Sequence, residues 1–180
     1  MIAVIFAKRS IRLPAKHHIM ICGEEMIDRV SRILYESKIF DRIILYTKDE
    51  TINSRYCEVV IDHSNGILIN SVIECLKIYS EFLAIGGDMP LIDYDLLKII
   101  IDAYDKRPVS LSSYGIIQPL LSLYNNLILN SLNSYIMSGG TSLYKFILNN
   151  DFKIINVNTF KTMSVNTSID LIKIKRYLGC

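Results

Sequence analysis

Two short stretches of the chain combine residue types that bind phosphate groups and metal ions. The first, residues 8–16, is called the basic loop here; it follows an apolar run and carries four cations, Lys8, Arg9, Arg12 and Lys16. The second, residues 86–90, reads Gly-Gly-Asp-Met-Pro and is called the aspartate loop. Arginine and lysine bind phosphate, and a carboxylate anchors Mg²⁺ through oxygen. The pair therefore indicates a site for a nucleoside triphosphate with Mg²⁺.

Nucleotidyl transfer is a reaction that such a site can perform. It needs cations that neutralise the phosphates, at least one carboxylate for the metal ion, and accurate placement of the reactants rather than covalent catalysis. Each stretch alone also fits a simpler role: the basic loop a solvated surface turn, and Asp88 a turn-forming residue. Only their combination favours a nucleotide site.

Strand and helix patterns alternate along the chain. Continuous apolar runs predict strands at 1–7, 42–47, 58–61, 109–113, 116–124 and 152–157, and a further strand that begins at Glu81 and stops on the glycines and Asp88. Apolar residues at helical spacing predict helices at 26–36, 66–80, 93–104, 127–138, 142–149 and 168–178. Asp93 is a natural N-cap for the third of these helices.

This alternation predicts one α/β domain over residues 1–180, with three layers (α/β/α) around a mainly parallel, Rossmann-like sheet. Ligands of such sheets bind outside the carboxyl ends of the strands. The basic loop and the aspartate loop both follow predicted strands, so we expect them to meet at one edge of the sheet.

Composition excludes several classes of function. Twenty basic and 18 acidic residues give no general basic surface for nucleic acid. No apolar stretch reaches the roughly 18 residues that would span a bilayer, and the first residues lack the charge pattern of a signal peptide, which predicts a cytoplasmic location. The four cysteines, Cys22, Cys57, Cys75 and Cys180, are widely separated, so we expect reduced thiols with neither a disulfide nor a zinc site.

Several motifs resemble a known family. Residues 9–16 (RSIRLPAK) and 23–30 (GEEMIDRV) resemble the opening of nucleotidyltransferases with a glycosyltransferase-A-like fold. Residues 87–92 (GDMPLI), 118–124 (QPLLSLY) and 165–171 (VNTSIDL) are similar, in order and spacing, to the MobA-like family. That family contains the molybdenum cofactor guanylyltransferase, which joins GMP from GTP to molybdopterin. The resemblance covers about residues 2–172.

The resemblance implies a fold of the nucleotide-diphospho-sugar transferase type and a role for each matching residue. Nucleotide binding would involve Ala7, Lys8, Arg9, Ser10, Arg12, Lys16, Asn65 and Asp88, of which Arg12, Lys16 and Asp88 would be catalytic. Asp88 and Asn166 would hold Mg²⁺, and Gln118, Pro119 and Asn166 would lie on the acceptor side. The implied partners are GTP or another nucleoside triphosphate and a phosphorylated acceptor of the molybdopterin type. We expect a monomer or a weak homo-oligomer.

The basic loop departs from the family pattern. The family loop begins Leu-Ala-Gly-Gly-x-Ser-x-Arg, and its glycines allow backbone N–H groups to approach the phosphates. Here Lys8 and Arg9 stand at that place. One hypothesis is an active transferase in which charged side chains replace those backbone contacts; the other is a non-catalytic nucleotide-binding descendant. Among enzymes, guanylyl transfer to adenosylcobinamide phosphate and nucleotidyl transfer to a sugar phosphate stay open as alternatives.

Two histidines follow the basic loop. His17 and His18 are adjacent in the chain, and neighbouring side chains on a regular backbone point in different directions. We therefore predict no metal ion shared between them.

Overall fold

The computed structural model describes residues 1–180 as nine strands and six α-helices. The strands are Ile2–Ala7 (β1), Met20–Ile21 (β2), Glu24–Glu25 (β3), Arg42–Thr47 (β4), Glu58–Ile61 (β5), Glu81–Gly86 (β6), Val109–Ser113 (β7), Ile116–Asn125 (β8) and Lys153–Val157 (β9). The helices are Met26–Ser37 (α1), Leu68–Tyr79 (α2), Tyr94–Asp102 (α3), Leu129–Met137 (α4), Leu143–Leu148 (α5) and Ser168–Leu178 (α6).

Seven of the strands form one sheet in the order β5-β4-β1-β6-β8-β7-β9. β1 pairs in parallel with β4 on one side and with β6 on the other, whereas β8 runs antiparallel to both of its neighbours. All the other pairs are parallel. The predicted single-domain α/β fold with a mainly parallel sheet is therefore confirmed.

Helices cover both faces of this sheet, and β1 shows how the sequence produces the two layers. Its residues point alternately to opposite faces, because side chains of a strand alternate. Ala3 and Ile5 pack with α1 and α3, while Val4 and Phe6 pack with α2, α4 and α5. The strand is buried on both sides, which is why it reads as a continuous apolar run.

The last helix, α6, packs against a third, smaller apolar cluster. Its buried residue Ile174 joins a small apolar cluster with Ile21 of β2, Met26, Leu91 and Val165. β2 and β3 form a short antiparallel hairpin that the sequence pattern does not reveal. The hairpin follows the basic loop directly, so this cluster links the basic loop to α6.

The expectation of four reduced thiols is wrong for two of the cysteines. Cys22, in the turn of the β2–β3 hairpin, and Cys180, just after α6, form a disulfide with their Cα atoms 5.5 Å apart. They are 158 residues apart in sequence, and only the packing of the hairpin and α6 on one cluster brings them together. Because disulfides are rare in the cytosol, this bond does not favour the cytoplasmic location predicted from the first residues.

The other two cysteines, Cys57 and Cys75, are free. Burial raises the pKa of Cys57 to about 11, so its thiol is protonated and unreactive near neutral pH. None of the helices combines the length and the apolar character needed to cross a membrane.

Candidate functional site

A cavity of about 170 Å³ lies where β1 and β6 end side by side. The register pairs Phe6 with Gly86, so the basic loop and the aspartate loop leave the sheet at neighbouring points. The cavity is lined by Phe6, Ala7, Lys8, Lys16, His17, Tyr46, Lys48, Asp62, Gly66, Leu68, Ser71, Asp88, Leu120 and Asn166. It therefore has the position at which open α/β sheets bind ligands.

Lys16 and Asp88 form a buried ion pair in this cavity. A 3₁₀ turn over Lys16–His18, entered through Ala15 in the left-handed region (φ 51°), turns the Lys16 side chain inward. Its Nζ atom lies 2.5 Å from Asp88 Oδ2 and 3.4 Å from the carbonyl oxygen of Val165, and Lys16 is only 8% exposed. An incoming phosphate thus meets a cation that is already oriented.

Glycines let the aspartate loop lie close to β1. The N–H of Gly87 donates to the carbonyl of Phe6 at 3.0 Å. A Cβ atom at position 87 would lie 3.1 Å from Ala7 Cβ and from Ile27 Cδ1, closer than ordinary van der Waals contact. A Cβ at position 86 would lie 2.8 Å from Asp88 Oδ1. A side chain at position 86 would therefore displace Asp88, and one at position 87 would push the aspartate loop away from β1 and α1.

Asn166 reaches the cavity from the start of α6. Thr167 is the N-cap of this helix, and Asp170 completes a capping box. The backbone N–H of Asn166 also donates to Asp170 at 3.1 Å, and the N–H of Val165 donates to the Asp88 carbonyl at 2.8 Å. Burial raises the pKa of Asp170, but the hydrogen bonds from Thr167 and Asn166 outweigh it and hold the pKa below its ordinary value. The cap needs only the backbone of Asn166, so its side chain lines the cavity.

The donor atoms suit Mg²⁺ that is shared with substrate phosphates. Asp88 offers a carboxylate and Asn166 an amide oxygen to the same cavity. No group of three or more histidine, cysteine or acidic side chains is arranged to hold a metal ion without other ligands. Mg²⁺ commonly binds through one or two protein oxygens and completes its coordination with water and phosphate. The residues present fit that pattern.

The structure separates the basic loop into two parts. Lys8 and Lys16, with Ala7 of β1, line the cavity, whereas Arg9 and Ser10 line only a neighbouring cavity of about 340 Å³, to which Lys16 also contributes. Arg12 is exposed and lines neither cavity. The Ser10 hydroxyl accepts a hydrogen bond from the N–H of Leu13 at 3.2 Å, which shapes the exposed turn.

Three other predicted residues lie just outside the cavity. Asn65 lines a separate groove of about 900 Å³ beside α2, although its neighbour Gly66 lines the cavity. Gln118 and Pro119 are also absent from the lining, where Leu120 stands instead. Both predicted stretches therefore reach the cavity, but in each of them the residue that lines it is a chain neighbour of the predicted one.

A bulge in β8 explains why Leu120 takes that place. The pairing with β7 jumps from Ser122 opposite Ser110 to Gln118 opposite Leu111, so three residues of β8 leave the ladder. Hydroxyls of Ser122 and Tyr124 hydrogen-bond to the carbonyls of Gln118 (2.9 Å) and Pro119 (2.8 Å). Gln118 and Pro119 thus shape the rim through their backbones, as bulges beside functional sites often do.

Sequence reasoning missed a polar cluster at the opposite end of the cavity. Asp62, directly after β5, is 7% exposed; it accepts hydrogen bonds from the Ser64 N–H (2.8 Å) and the Ser71 hydroxyl (2.6 Å) and lies 3.4 Å from Lys48 Nζ. Burial raises the pKa of Asp62, but these hydrogen bonds and the charge of Lys48 outweigh it and hold the pKa below its ordinary value. Lys48 follows β4, so the rule that ligands bind at the carboxyl ends of strands, applied to β4 and β5, would have found both residues.

His17 was also missed, because adjacent histidines gave no pattern. It is 3% exposed, and its two ring nitrogens face the backbone carbonyls of Lys8 and Gly87. Burial and, next, the charge of Lys16 lower the pKa of His17. His18 points away from it and contacts Glu25 at 2.9 Å.

Comparisons with solved structures support the fold. Molybdopterin-guanine dinucleotide biosynthesis protein A from Archaeoglobus fulgidus superposes with a TM-score of 0.79 at 16% identity, covering 99% of both chains. A 4-diphosphocytidyl-2C-methyl-D-erythritol synthase from Anaerococcus prevotii gives a TM-score of 0.76 at 16% identity, covering 99% of this chain and 98% of that one. A cytidylyltransferase from Leptospira borgpetersenii gives 0.75 at 17% identity, covering 99% and 86%. At these identities the likeness shows the fold alone.

Sequence comparison identifies the family. No match was found among curated protein sequences. A family model described as the MobA-like NTP transferase domain matches residues 6–151, which include the basic loop, the aspartate loop and the β8 bulge. The chain therefore belongs to the MobA-like NTP transferases, a nucleotidyltransferase family, as its motifs predict.

Proposed function

We propose that this protein transfers GMP from GTP to a phosphorylated acceptor of the molybdopterin type and releases pyrophosphate. The observation that carries the proposal is the buried pair of Lys16 and Asp88, in a cavity that Asn166 also lines. The family supplies the reaction type. The guanylyl group and the acceptor are suggested by the name of the Archaeoglobus fulgidus protein.

In the proposed reaction, a phosphate oxygen of the acceptor attacks the α-phosphorus of the triphosphate in line. A new P–O bond forms while the bond from the α-phosphorus to the oxygen that bridges it to the β-phosphorus breaks, and pyrophosphate leaves with the electron pair. The attacking oxygen is already anionic, so no side chain has to remove a proton. The protein contributes placement and charge.

Lys16 supplies the fixed positive charge. In the free protein its ammonium group is held by Asp88 and the Val165 carbonyl. Phosphate oxygens would draw it from Asp88 and leave the carboxylate available to a metal ion. Because Lys16 is buried, its attraction to phosphate is less screened than that of an exposed lysine. Arg12 would approach the triphosphate from the exposed part of the basic loop.

We propose that Asp88 and Asn166 hold Mg²⁺. When bound, the ion would supply positive charge that offsets the charge of the phosphates. The Val165 N–H bond to the Asp88 carbonyl keeps the two side chains on neighbouring segments, so both ligands would move together.

Asp62 gives a physical reason to favour guanine at the far end of the cavity. A carboxylate accepts hydrogen bonds, and the guanine edge offers two adjacent donors, N1–H and N2–H₂. Asp62 is held in place by Ser64, Ser71 and Lys48 and has a lowered pKa, so it stays ionised. A uracil or thymine base presents fewer donors to such a group.

The test is acceptor-dependent pyrophosphate release. The protein is incubated with each of GTP, CTP, ATP and UTP, with Mg²⁺ and with molybdopterin, adenosylcobinamide phosphate or a sugar 1-phosphate. We expect release only with GTP and molybdopterin. Release with a different triphosphate and acceptor would overturn the proposed substrates but leave nucleotidyl transfer as the reaction. No release together with no triphosphate binding would overturn the whole proposal.

Variants of Asp88 and Asp95 link the activity to the cavity. Asp88→Asn is expected to lower kcat/KM by about 10²–10³-fold, the usual loss when one preorganised electrostatic group is removed. Asp95→Asn is the matched control, because Asp95 is exposed on α3 and lies outside the cavity. Equal activity in the two variants would show that the reaction occurs elsewhere.

A further inference from the structure

His17 is a buried polar side chain at the cavity for which the proposed reaction has no use. It is 3% exposed, and it lies between the start of the basic loop and the aspartate loop. His18, the next residue, is half-buried and contacts only Glu25 of the β2–β3 hairpin. His17 therefore contacts both loops of the site, whereas the His18 ring contacts the hairpin.

The imidazole of His17 bridges two backbone carbonyls. Its Nε2 lies 3.1 Å from the carbonyl oxygen of Lys8, and its Nδ1 lies 3.2 Å from that of Gly87. The ring also packs on the aspartate loop, since a Cβ atom on Gly87 would come within 3.4 Å of His17 Cε1. Both carbonyls are acceptors, so a neutral ring donates to one of them in each tautomer, while its unprotonated nitrogen faces the other without a hydrogen bond.

Each tautomer orients one of two peptide groups. In a planar trans peptide, the carbonyl of one residue and the N–H of the next point in opposite directions. Holding the Lys8 carbonyl therefore directs the Arg9 N–H away from the imidazole. Holding the Gly87 carbonyl does the same for the N–H of Asp88 and fixes the backbone that carries the carboxylate.

His17 also completes a double connection between the loops. Lys16 contacts Asp88 through its side chain, and the next residue, His17, contacts the residue that precedes Asp88. Two adjacent residues, at the end of the basic loop and just after it, therefore contact two adjacent residues of the aspartate loop. An ion pair alone allows the two segments to rotate about it, whereas two contacts side by side do not.

We propose that His17 is a positioning residue that keeps the basic loop in register with Asp88. Lys8 and Arg9 stand where the family has glycines, and the buried imidazole restrains the Lys8–Arg9 peptide from the protein interior. The inference rests on the proposed function for its kinetic consequence, but the restraint itself is a property of the free protein.

The kinetic test compares His17→Phe, His17→Gln and the control His18→Phe. Phenylalanine keeps a ring and removes both nitrogens, while the glutamine amide offers two N–H donors. We expect His17→Phe to lower kcat by about 10–100-fold, in line with the cost of a misplacement near 1 Å. The KM for the triphosphate should change by less than about threefold, because the cations remain. His17→Gln should recover most of kcat, and His18→Phe should match the parent.

A second readout needs no activity. Hydrogen–deuterium exchange of the free protein should be faster in His17→Phe than in the parent over residues 8–16 and 86–90. It should be unchanged there in His18→Phe and in the strands β4 and β7 in all variants. Mn²⁺ titration, as a probe of the Asp88 site, should show weaker binding by His17→Phe only.

The outcomes separate this inference from the proposed function. A parent protein without nucleotidyl transfer overturns the proposed function, and the exchange data still decide whether His17 couples the loops. Parent-like exchange and kcat in His17→Phe would overturn the inference. So would equal losses in His17→Phe and His17→Gln, because N–H donors at position 17 would then not restore what the imidazole does.

Discussion

The two parts of the basic loop carry similar charges but differ in how they are held. In the inner part, at the end of the loop, Lys16 is 8% exposed and contacts Asp88, and the residue after it, His17, is 3% exposed and contacts Gly87. In the outer part, Arg9 and Arg12 are exposed and Ile11 is 96% exposed. The inner cation is thus already oriented by its contacts with Asp88 and Val165, whereas no hydrogen bond or ion pair holds the side chains of the outer cations. Preorganised charge contributes most to catalysis, whereas flexible charge contributes mainly to capture.

The largest effect is expected for the inner cation. Lys16→Met should lower kcat/KM by about 10³-fold, because it removes the proposed phosphate-binding cation and leaves Asp88 without its partner. Steady-state pyrophosphate release measures this. Lys98→Met is the control, since Lys98 is exposed and pairs only with Asp102 on the same helix. A loss of less than tenfold would contradict a special role for the inner part.

The next largest effect is expected for the Cys22–Cys180 disulfide, which anchors the segment that follows Lys16 and His17. The disulfide ties the hairpin that follows His18 to the end of α6, and closing so long a loop constrains the unfolded chain. Cys22→Ser should lower the free energy of unfolding by about 3 kcal/mol. Denaturant unfolding with and without a reductant measures it: reductant should destabilise the parent and the control Cys57→Ser but leave Cys22→Ser unchanged. Reductant sensitivity in Cys22→Ser would contradict the assignment of this bond.

A smaller effect is expected for the outer part. Arg12→Ala should raise the KM for the triphosphate by about tenfold and leave kcat nearly unchanged, because an exposed charge aids binding more than the chemical step. The difference from the parent should shrink as salt is added, since exposed charges are screened. A kcat loss as large as that of Lys16→Met would erase the distinction between the two parts.

The smallest effect concerns the far end of the cavity. Asp62→Asn should lower the free energy of unfolding near neutral pH by about 1 kcal/mol, because the hydrogen bonds would then be accepted by a neutral amide instead of a charged carboxylate. The folded-state pKa of Asp62 lies below the unfolded value, so the stabilisation is present above about pH 4 and is lost as the pH falls through the folded pKa. Unfolding curves of the parent and the variant should therefore converge in acid. A constant difference at every pH would mean that the charge is not involved.

Much of the fold could be predicted because it depends on local patterns. The strands β4, β5 and β7 and the helix α6 begin and end where the apolar periodicity places them, and Asp93 caps α3 as expected. The β2–β3 hairpin was missed because each strand has two residues and no recognisable alternation. The Cys22–Cys180 bond depends on how α6 packs, which no local pattern encodes.

The site could be predicted in outline but not in detail. Lys16 and Asp88 lie at the same edge because both follow neighbouring parallel strands, which topology predicts, and the 3₁₀ turn at Lys16 then directs its side chain to Asp88. The exposure of Arg12, and the appearance of Leu120 in place of Gln118 and Pro119, depend on a turn and on a bulge whose course the periodicity does not determine. The role of each predicted site residue in binding or catalysis stays a prediction.

The turn between β7 and β8 has a consequence for how the site could change over time. Tyr114 and Gly115 both have positive φ angles (50° and 78°), which is typical of a two-residue type I′ turn, and Tyr114 is 67% exposed. β7 runs parallel to β1, so this turn lies on the same side of the sheet as the cavity. Exposed loop tips tolerate insertions. A longer turn here would add residues at the rim of the cavity while β1, β6 and the bulge keep their places, so this rim can change without altering the Lys16–Asp88 pair.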